Sequence, residues 1–272
     1  MKQITLEELK RIQLSILDRV AEFCEKNAIN YWLDCGTLLG AVRHKGYIPW
    51  DDDIDIGMLR PDYDRFLKTF NEKNDVYKVY SVENNEKFYY PFAKILDTRT
   101  VLYEPDEKGV KSSVNIDLFV YDNAPDDDAE VEKMYKLRDK YNKLNNVRVR
   151  LYMSKKKPLV HLLKVIAYPF LCVFPRNHFA KKIVKNSKKY ADKDTKRVGN
   201  FMSLTRLTCE KSIFDKYISM EFENRRFKVP AGYDKWLRAF YGDYMTLPPE
   251  EKRVSHHSFK AYYKGENENG KV

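Results

Sequence analysis

The sequence predicts an α/β fold in which helices flank a mixed sheet, together with a basic helical insertion and a C-terminal segment that returns to the core. Strand-like runs alternate with helical patterns over residues 1–125, and lysine and arginine dominate residues 126–200. Near Phe201 the composition becomes that of an ordinary globular chain again. We therefore divide the chain into a core, an insertion and a C-terminal segment, residues 1–125, 126–200 and 201–272.

The length and the cysteines limit the class of protein. The chain has 272 residues, of which 43% are hydrophobic, and this is enough to bury a full core. The N-terminal residues MKQITLEELK do not resemble a secretory signal. The four cysteines lack the paired spacing of a metal site; they are Cys24, Cys35, Cys172 and Cys209. We expect a globular cytoplasmic protein with reduced thiols.

The first elements follow a helix, strand, helix order. Thr5 and Glu8 match a capping box, and apolar residues at three- and four-residue steps behind them predict an amphipathic helix. Residues 31–34 are typical of a short strand, which ends at the turn Cys35-Gly36-Thr37. The residues LLGAVR then predict a second helix, which Gly46 helps to end.

Further strands are predicted along the rest of the core. Residues 53–58 (DIDIGM) alternate polar or small residues with apolar ones, and Pro61 begins the next helix. Aromatic or β-branched residues predict three more strands, at residues 77–82, 88–96 and 114–120. Residues 123–128 (NAPDDD) then break the pattern before the basic helical block.

The positive charge is concentrated in one block. The net charge is +10, yet residues 133–197 contain 20 Lys/Arg and 3 Asp/Glu, so the remainder is net negative. Such a block is often directed at a polyanion, either nucleic acid or an anionic bilayer, and the alternative is a solvated basic face. The sequence leaves these interpretations open.

Residues 159–174 (LVHLLKVIAYPFLCVF) form an apolar run inside the basic block. Lys155-Lys156-Lys157 precede this run and Arg176 follows it. The run is shorter than the roughly 20 apolar residues that a transmembrane helix needs. It is typical of an interfacial membrane segment, and a buried core helix is the alternative.

Three aspartates form the candidate catalytic centre. Asp53 and Asp55 lie two residues apart on a predicted strand, so their side chains share one face while Ile54 and Ile56 point to the core. Asp117 is the single carboxylate in another apolar strand. Carboxylates placed among apolar residues need a compensating charge, and Mg²⁺ prefers such oxygen ligands. The pattern predicts a shared cation site.

Candidate phosphate-binding residues surround these aspartates. Gly36 and Thr37 lie at a strand-to-helix turn, where free backbone N–H groups and the helix dipole favour a phosphate. Arg43 and Lys94 are candidates for contacts to phosphate oxygens. The alternative for Arg43, and for His44 and Lys45 beside it, is that basic residues gather at any helix C-terminus.

A long stretch resembles one known family. Residues 33–57 (LDCGTLLGAVRHKGYIPWDDDIDIG) look like the signature of the LicD family, phosphocholine transferases that are related to fukutin and have a nucleotidyltransferase-like fold. The resemblance continues through residues 90–94 (YPFAK) and 115–119 (NIDLF). It extends into the C-terminal segment through VPAGYD, YGDYM, the proline pair 248–249 and the histidine pair 256–257.

The resemblance implies a reaction and roles for these residues. Phosphocholine would move from CDP-choline to a sugar hydroxyl of a teichoic acid or lipopolysaccharide precursor carried on a glycolipid or other lipid-linked glycopolymer, and CMP would leave. Asp53, Asp55 and Asp117 would hold one or two Mg²⁺ ions, or Mn²⁺, and Asp117 could take the hydroxyl proton. The implied donor-binding residues are Gly36, Thr37, Arg43, Lys94 and His257.

Other interpretations remain at this stage. The donor could be another CDP-linked group such as CDP-ribitol, or the protein could be a nucleotidyltransferase that uses a nucleoside triphosphate and releases pyrophosphate. A nucleic-acid-binding module is the non-enzymatic alternative, which the acidic core argues against. Aromatic residues that could recognise choline abound, and the sequence does not choose among them. We expect a cytoplasmic enzyme, peripheral at the inner face of the membrane.

Overall fold

The structure is a computed structural model, which describes residues 1–103, 111–149, 158–254 and 260–265. The helices are α1 (Leu6–Lys26), α2 (Cys35–His44), α3 (Arg60–Thr69), α4 (Asp128–Val149), α5 (Pro158–Leu171), α6 (His178–Ser187) and α7 (Tyr233–Tyr241). The strands are β1 (Gln3–Ile4), β2 (Trp32–Leu33), β3 (Asp55–Leu59), β4 (Tyr77–Tyr80), β5 (Ala93–Asp97), β6 (Thr100–Tyr103), β7 (Lys111–Ser112), β8 (Asn115–Ala124), β9 (Arg197–Gly199), β10 (Thr208–Glu210), β11 (Tyr217–Phe222), β12 (Arg225–Pro230) and β13 (Lys260–Tyr263).

A mixed sheet centred on β8 organises the core. Its strand order is β10-β9-β8-β3-β2, and β5 and β4 extend it from β8. On one edge of β8 lies the parallel strand β3. On the other edge β5 pairs antiparallel with the first half of β8, and β9 pairs antiparallel with its last three residues. The predicted mixed α/β architecture is therefore confirmed.

The first helix forms as its sequence pattern predicts. The Thr5 side chain accepts from the Glu8 backbone N–H, and the Glu8 carboxylate accepts from the Thr5 N–H, which completes the capping box. Leu9, Ile16 and Val20 on one side of α1 are fully or almost fully buried. This apolar face fixes α1 against β5 and β8 of the central sheet.

The strands predicted at residues 88–96 and 114–120 differ most from the structure at their ends. The strand predicted at 88–96 begins only at Ala93, because Tyr89 and Tyr90 stack on each other at 4.6 Å instead of extending the ladder. The strand predicted at 114–120 is longer, since β8 continues to Ala124, where it pairs with β9. The break predicted at residues 123–128 therefore begins only after the first two of them.

The insertion is helical, as its composition predicts, and α4 packs against both α5 and α6. A buried ion pair anchors α6 to the core. Arg60 at the start of α3 donates from Nε and Nη2 to the two oxygens of Asp122 on β8, at 2.6 and 2.8 Å. Ser187 at the end of α6 donates to the same carboxylate. Three elements that are distant in sequence thus meet at one buried charge pair.

The C-terminal segment returns to the core through several elements, and β10 adds an outer strand to the central sheet. Strand β13 lies between β1 and β6 in a second sheet. Helix α7 places Trp236 in the interior, where its ring contacts Tyr121 of β8 edge-to-face at 5.5 Å. These contacts were not predicted from the sequence in detail. Strand β13, for example, is defined by its distant partners β1 and β6, and β9 by its distant partner β8.

Candidate active site

One row of charged side chains crosses three neighbouring strands. Asp117 on β8 is the direct partner of Asp55 on β3 and of Lys94 on β5. Directly opposed residues point to the same face of a sheet, whereas their neighbours in sequence point to the other face. Ile56 and Ile116 accordingly are buried on the other side. The sheet therefore presents two carboxylates and an ammonium together.

The backbone around the row is held by hydrogen bonds. The Asp55 N–H donates to Thr37 Oγ1 at 2.8 Å, and the Asp34 N–H donates to the Asp55 carbonyl at 3.0 Å. The Asp117 N–H donates to the Ile54 carbonyl at 2.9 Å. Thr37 is buried in the first turn of α2, so its hydroxyl fixes where β3 begins. Its predicted contact to a donor phosphate stays a prediction.

Asp53 lies just before β3, not within it as the alternation predicts. Its carboxylate is nevertheless part of the cluster. The pKa of Asp55 lies well above its usual range because burial disfavours the charged form and the carboxylates of Asp53 and Asp117 add negative charge nearby. The three predicted aspartates are therefore brought together, and their mutual repulsion calls for a cation.

Lys94 already supplies one positive charge. Its Nζ lies 2.7 Å from Asp117 Oδ1 and 3.2 Å from Asn115 Oδ1. The same Nζ lies 4.9 Å from the centre of the Tyr90 ring and 5.4 Å from that of Phe92. Lys94 is almost fully buried. An ammonium on this strand is thus held against the candidate catalytic carboxylate.

The three aspartates offer the oxygen ligands that a divalent cation prefers, but their side chains are not arranged as a metal site in the structure. As the side chains stand, the described residues contain no group of three or more His, Cys, Asp or Glu arranged to hold a metal ion. Asp117 is engaged by Lys94, which accounts for part of this result. The carboxylates nevertheless share a sheet face and repel one another, which a hard cation would relieve.

Gly36 allows a carboxylate to approach the start of α2. A Cβ atom at this position would lie 2.8 Å from Asp51 Oδ2. Cys35 just before it has a left-handed backbone, with φ of 46°, which is uncommon for a residue other than glycine. Desolvation raises the pKa of the Cys35 thiol well above its usual value, and the carboxylates of Asp34 and Asp55 raise it further. This direction disfavours the thiolate, which is the nucleophilic form of cysteine.

Arg43 joins the end of α2 to the C-terminal segment. Its Nη1 donates to the Tyr244 carbonyl at 2.8 Å, and its Nε donates to His44 Nε2 at 2.9 Å. The His44 ring in turn lies edge-on to Trp50 at 6.3 Å. Lys45 instead is 73% exposed, beside Glu221. Arg43 and His44 thus belong to a partly buried cluster, whereas Lys45 faces solvent.

The sequence did not single out Gln13. It occupies an apolar stripe of α1, four residues after Leu9 and four before Leu17, and it is buried. Its Nε2 donates to the Asp52 carbonyl at 3.0 Å and to the Asn115 carbonyl at 3.3 Å. Gln13 therefore positions the chain just before Asp53 and Asp117. The sequence did contain a signal for this role, which is a polar residue within an otherwise apolar stripe of α1.

Asp34 is a second buried polar residue near the site that sequence reasoning did not single out. Its carboxylate is fully buried and accepts from Tyr121 Oη at 2.6 Å and from Trp236 Nε1 at 3.2 Å. Burial raises its pKa to about 6, although the bond from Tyr121 opposes this shift. Asp34 thus ties α2 to β8 and to α7 directly beneath the site.

Two aromatic residues of the C-terminal segment are held in the interior by hydrogen bonds. Trp236 is buried on Asp34, and Tyr244 is buried and donates to Asp234 at 2.7 Å. Tyr90, beside Lys94, and Trp50, beside His44, are partly buried near the predicted phosphate-binding residues. His257 and its neighbour His256 lie outside the described residues, so the predicted role of His257 stays a prediction.

Comparison with known proteins identifies the family. Residues 28–131 match the family model described as LicD/FKTN/FKRP, nucleotidyltransferase domain. The chain is 36% identical over 271 residues to the lipopolysaccharide cholinephosphotransferase LicD of Haemophilus influenzae, which covers 96% of this chain and 99% of that protein. This chain belongs to the LicD family. The resemblance inferred from residues 33–57 is therefore confirmed, and the matched domain contains the whole Lys94–Asp117–Asp55 row.

More distant members of the LicD family share a short stretch with this chain. The ribitol 5-phosphate transferases FKRP of Homo sapiens and Mus musculus are each 50% identical to it over 38 residues. Those residues are 14% of this chain and 8% of each FKRP. This similarity supports a common site but says little about the donor group.

Proposed function

We propose that this LicD-family protein transfers phosphocholine from CDP-choline to a sugar hydroxyl of a lipopolysaccharide or teichoic acid precursor. The observation that supports it most is the near full-length similarity to a lipopolysaccharide cholinephosphotransferase. The paired carboxylates of β3 and β8 provide the chemistry that such a transfer needs. The four cysteines are unpaired, which supports a reducing cytoplasmic setting.

Asp53, Asp55 and Asp117 are the proposed ligands for one or two Mg²⁺ ions, with Mn²⁺ as a substitute. Bound there, the metal would neutralise charge on the donor diphosphate and on the leaving CMP. Burial and the nearby carboxylates of Asp53 and Asp117 raise the pKa of Asp55, and a cation there would favour its charged form, which supports this assignment. Gly36 and Arg43, at the two ends of α2, are the proposed contacts for donor phosphates.

The proposed reaction is one in-line displacement at phosphorus. The acceptor hydroxyl oxygen forms a bond to the phosphorus of phosphocholine, and the bond from that phosphorus to the bridging oxygen of CMP breaks. Asp117 accepts the hydroxyl proton. Lys94 holds Asp117 in place at 2.7 Å and is positioned to stabilise negative charge on the transferred phosphate.

The donor is tested by comparing activated compounds. We expect the protein with Mg²⁺ to release CMP from CDP-choline faster than from CDP-ribitol, and to form no pyrophosphate from CTP. Chromatographic measurement of CMP and pyrophosphate, with and without EDTA, distinguishes the three reactions. Faster turnover of CDP-ribitol would replace the choline proposal by ribitol phosphate transfer, and pyrophosphate release would indicate a nucleotidyltransferase.

Lys94 provides a second test of the proposed site. Lys94→Met removes the ammonium while keeping a long apolar stem, so we expect kcat to fall by about 10²-fold. Lys94→Arg should retain part of the activity, since the charge is kept. Lys87→Met, at an exposed lysine, is the matched control and should be unaffected. Equal kcat values for the two methionine variants would show that Lys94 contributes no charge to the reaction.

A further inference from the structure

Helix α5 exposes its apolar side. The side chains on this side are between 42% and 72% exposed, although all are aliphatic or aromatic; they are Leu162, Leu163, Val165, Ile166 and Phe170. Just beyond the helix, Val173 is 82% and Phe174 41% exposed. We call these seven residues the apolar surface. In water, such a contiguous patch is unfavourable, and patches of this kind usually mark an interaction site.

The opposite side of α5 is less exposed and more polar. Lys164, Ala167, Tyr168 and Leu171 recur at three- and four-residue steps, and each is only partly exposed. Helix α5 packs against α4. Among the described side chains of α5, the lysine and the tyrosine therefore lie on the less exposed side, and the most exposed side chains are apolar. A water-exposed helix has the reverse arrangement.

Lysines also gather next to α4. A cleft between α4 and α6 is lined by five lysines, which are Lys181, Lys182, Lys185, Lys188 and Lys189. Lys181 and Lys188 pair with Glu86 and Glu83, and Lys189 pairs with Glu130. Lys182 and Lys185 are exposed, and among the described residues neither has a carboxylate in salt-bridge distance. An apolar helix and a positively charged cleft thus both border α4.

We propose that the apolar surface of α5 inserts into the boundary between headgroups and acyl chains of an anionic bilayer. The exposed side chains would leave water, while neighbouring lysines meet anionic headgroups. None of the described helices is long and apolar enough to cross a membrane, so contact would be at one leaflet. This adds a docking surface to the proposed function, whose lipid-carried acceptor would lie in that same leaflet.

Two other occupants fit the surface less well. A second copy docking through the same face would bring two basic insertions together, and residues 133–197 alone carry 20 Lys/Arg against 3 Asp/Glu. Nucleic acid would match the charge but offers little to the aliphatic side chains. An anionic bilayer complements both the charge and the apolar surface.

Vesicle flotation with the full chain tests the proposal. We expect binding to vesicles of phosphatidylglycerol and phosphatidylcholine, with much weaker binding to phosphatidylcholine alone. Ile166→Asp should lower binding to the anionic vesicles by about tenfold or more, because it places a carboxylate within the apolar surface. Leu204→Asp is the matched control, because Leu204 is 76% exposed and lies outside α5. This variant should bind the vesicles as wild type does.

Each other outcome would overturn the proposal. If Ile166→Asp floats as wild type does, or if wild type does not float at all, α5 is not a bilayer-docking helix. A wild-type dimer that Ile166→Asp converts to a monomer without lipid would instead identify a contact between copies. RNA binding that Ile166→Asp leaves unchanged, without flotation, would assign the basic cleft to nucleic acid. Circular dichroism of both variants checks folding, and CDP-choline hydrolysis in detergent-free buffer separates docking from the proposed chemistry.

Discussion

Asp55→Asn should lower the rate of CMP release from CDP-choline by at least about 10²–10³-fold, the usual cost of removing one well-placed electrostatic stabiliser. The substitution removes one negative charge and keeps the side-chain shape. Its backbone N–H can still donate to Thr37, so the start of β3 should stay in place. Steady-state kinetics at saturating Mg²⁺ measures the effect, and Asp117→Asn should cost as much.

The control for this variant is a carboxylate away from the row. Asp75 is exposed, so Asp75→Asn changes the charge of the protein equally but should leave kcat unchanged. The melting temperature of Asp55→Asn should not fall, because the variant loses a buried carboxylate that its neighbours repel. Near-normal turnover in a well-folded Asp55→Asn protein would remove Asp55 from the proposed metal site.

Asp122→Ala should lower the free energy of unfolding by about 3 kcal/mol, because it leaves the buried guanidinium of Arg60 without its principal partner. Arg60 keeps weaker contacts to Asp64 and Glu83 at 3.3 and 3.4 Å, which limits the loss. The Ser187 hydroxyl also loses its acceptor, so the end of α6 should loosen. Urea denaturation followed by circular dichroism measures the change.

An exposed ion pair serves as the matched control. Asp128 pairs with Arg197 at 2.6 Å, but its side chain is 87% exposed. Exposed pairs contribute little to stability because water and salt screen them. Asp128→Ala should therefore unfold at the same urea concentration as wild type. If the two variants are equally stable, the Arg60–Asp122 pair does not anchor the insertion to the core.

The local sequence pattern was sufficient to predict the segments in which hydrophobic periodicity agrees with burial in the structure. The alternation around Asp55 and the isolated Asp117 predicted two strands whose carboxylates share a face, and the structure pairs these two residues directly. The capping box of Thr5 and Glu8 likewise predicted where α1 begins. In these segments each residue's local preference agrees with its place in the core.

Pairing between distant segments was not predictable from the sequence. Strand β9 has three residues, and its place beside β8 depends on contacts with residues 122–124. The partners of Lys94 and Arg43 are also distant in sequence. Lys94 meets Asp117 through strand register, and Arg43 meets the Tyr244 carbonyl across 201 positions. The residue types showed that these two positions are charged, but they did not show which groups the charged side chains contact.

The apolar run at residues 159–174 shows that amino-acid composition alone does not predict whether a helix is buried or exposed. The sequence allowed either a buried helix or an interfacial segment. In the structure Leu163 and Phe170 of α5 are 59% and 72% exposed, and the interfacial segment stays a prediction. The buried alternative is therefore wrong for the described side chains of this helix.

The fate of the two halves of CDP-choline tests the central claim most directly. The protein would be incubated with Mg²⁺, a lipopolysaccharide precursor and CDP-choline that carries separate labels in choline and cytidine. We expect the choline label to appear on the glycan and the cytidine label to be recovered as CMP in equal amount. Cytidine label on the glycan, or a glycan that gains no choline label, would contradict phosphocholine transfer.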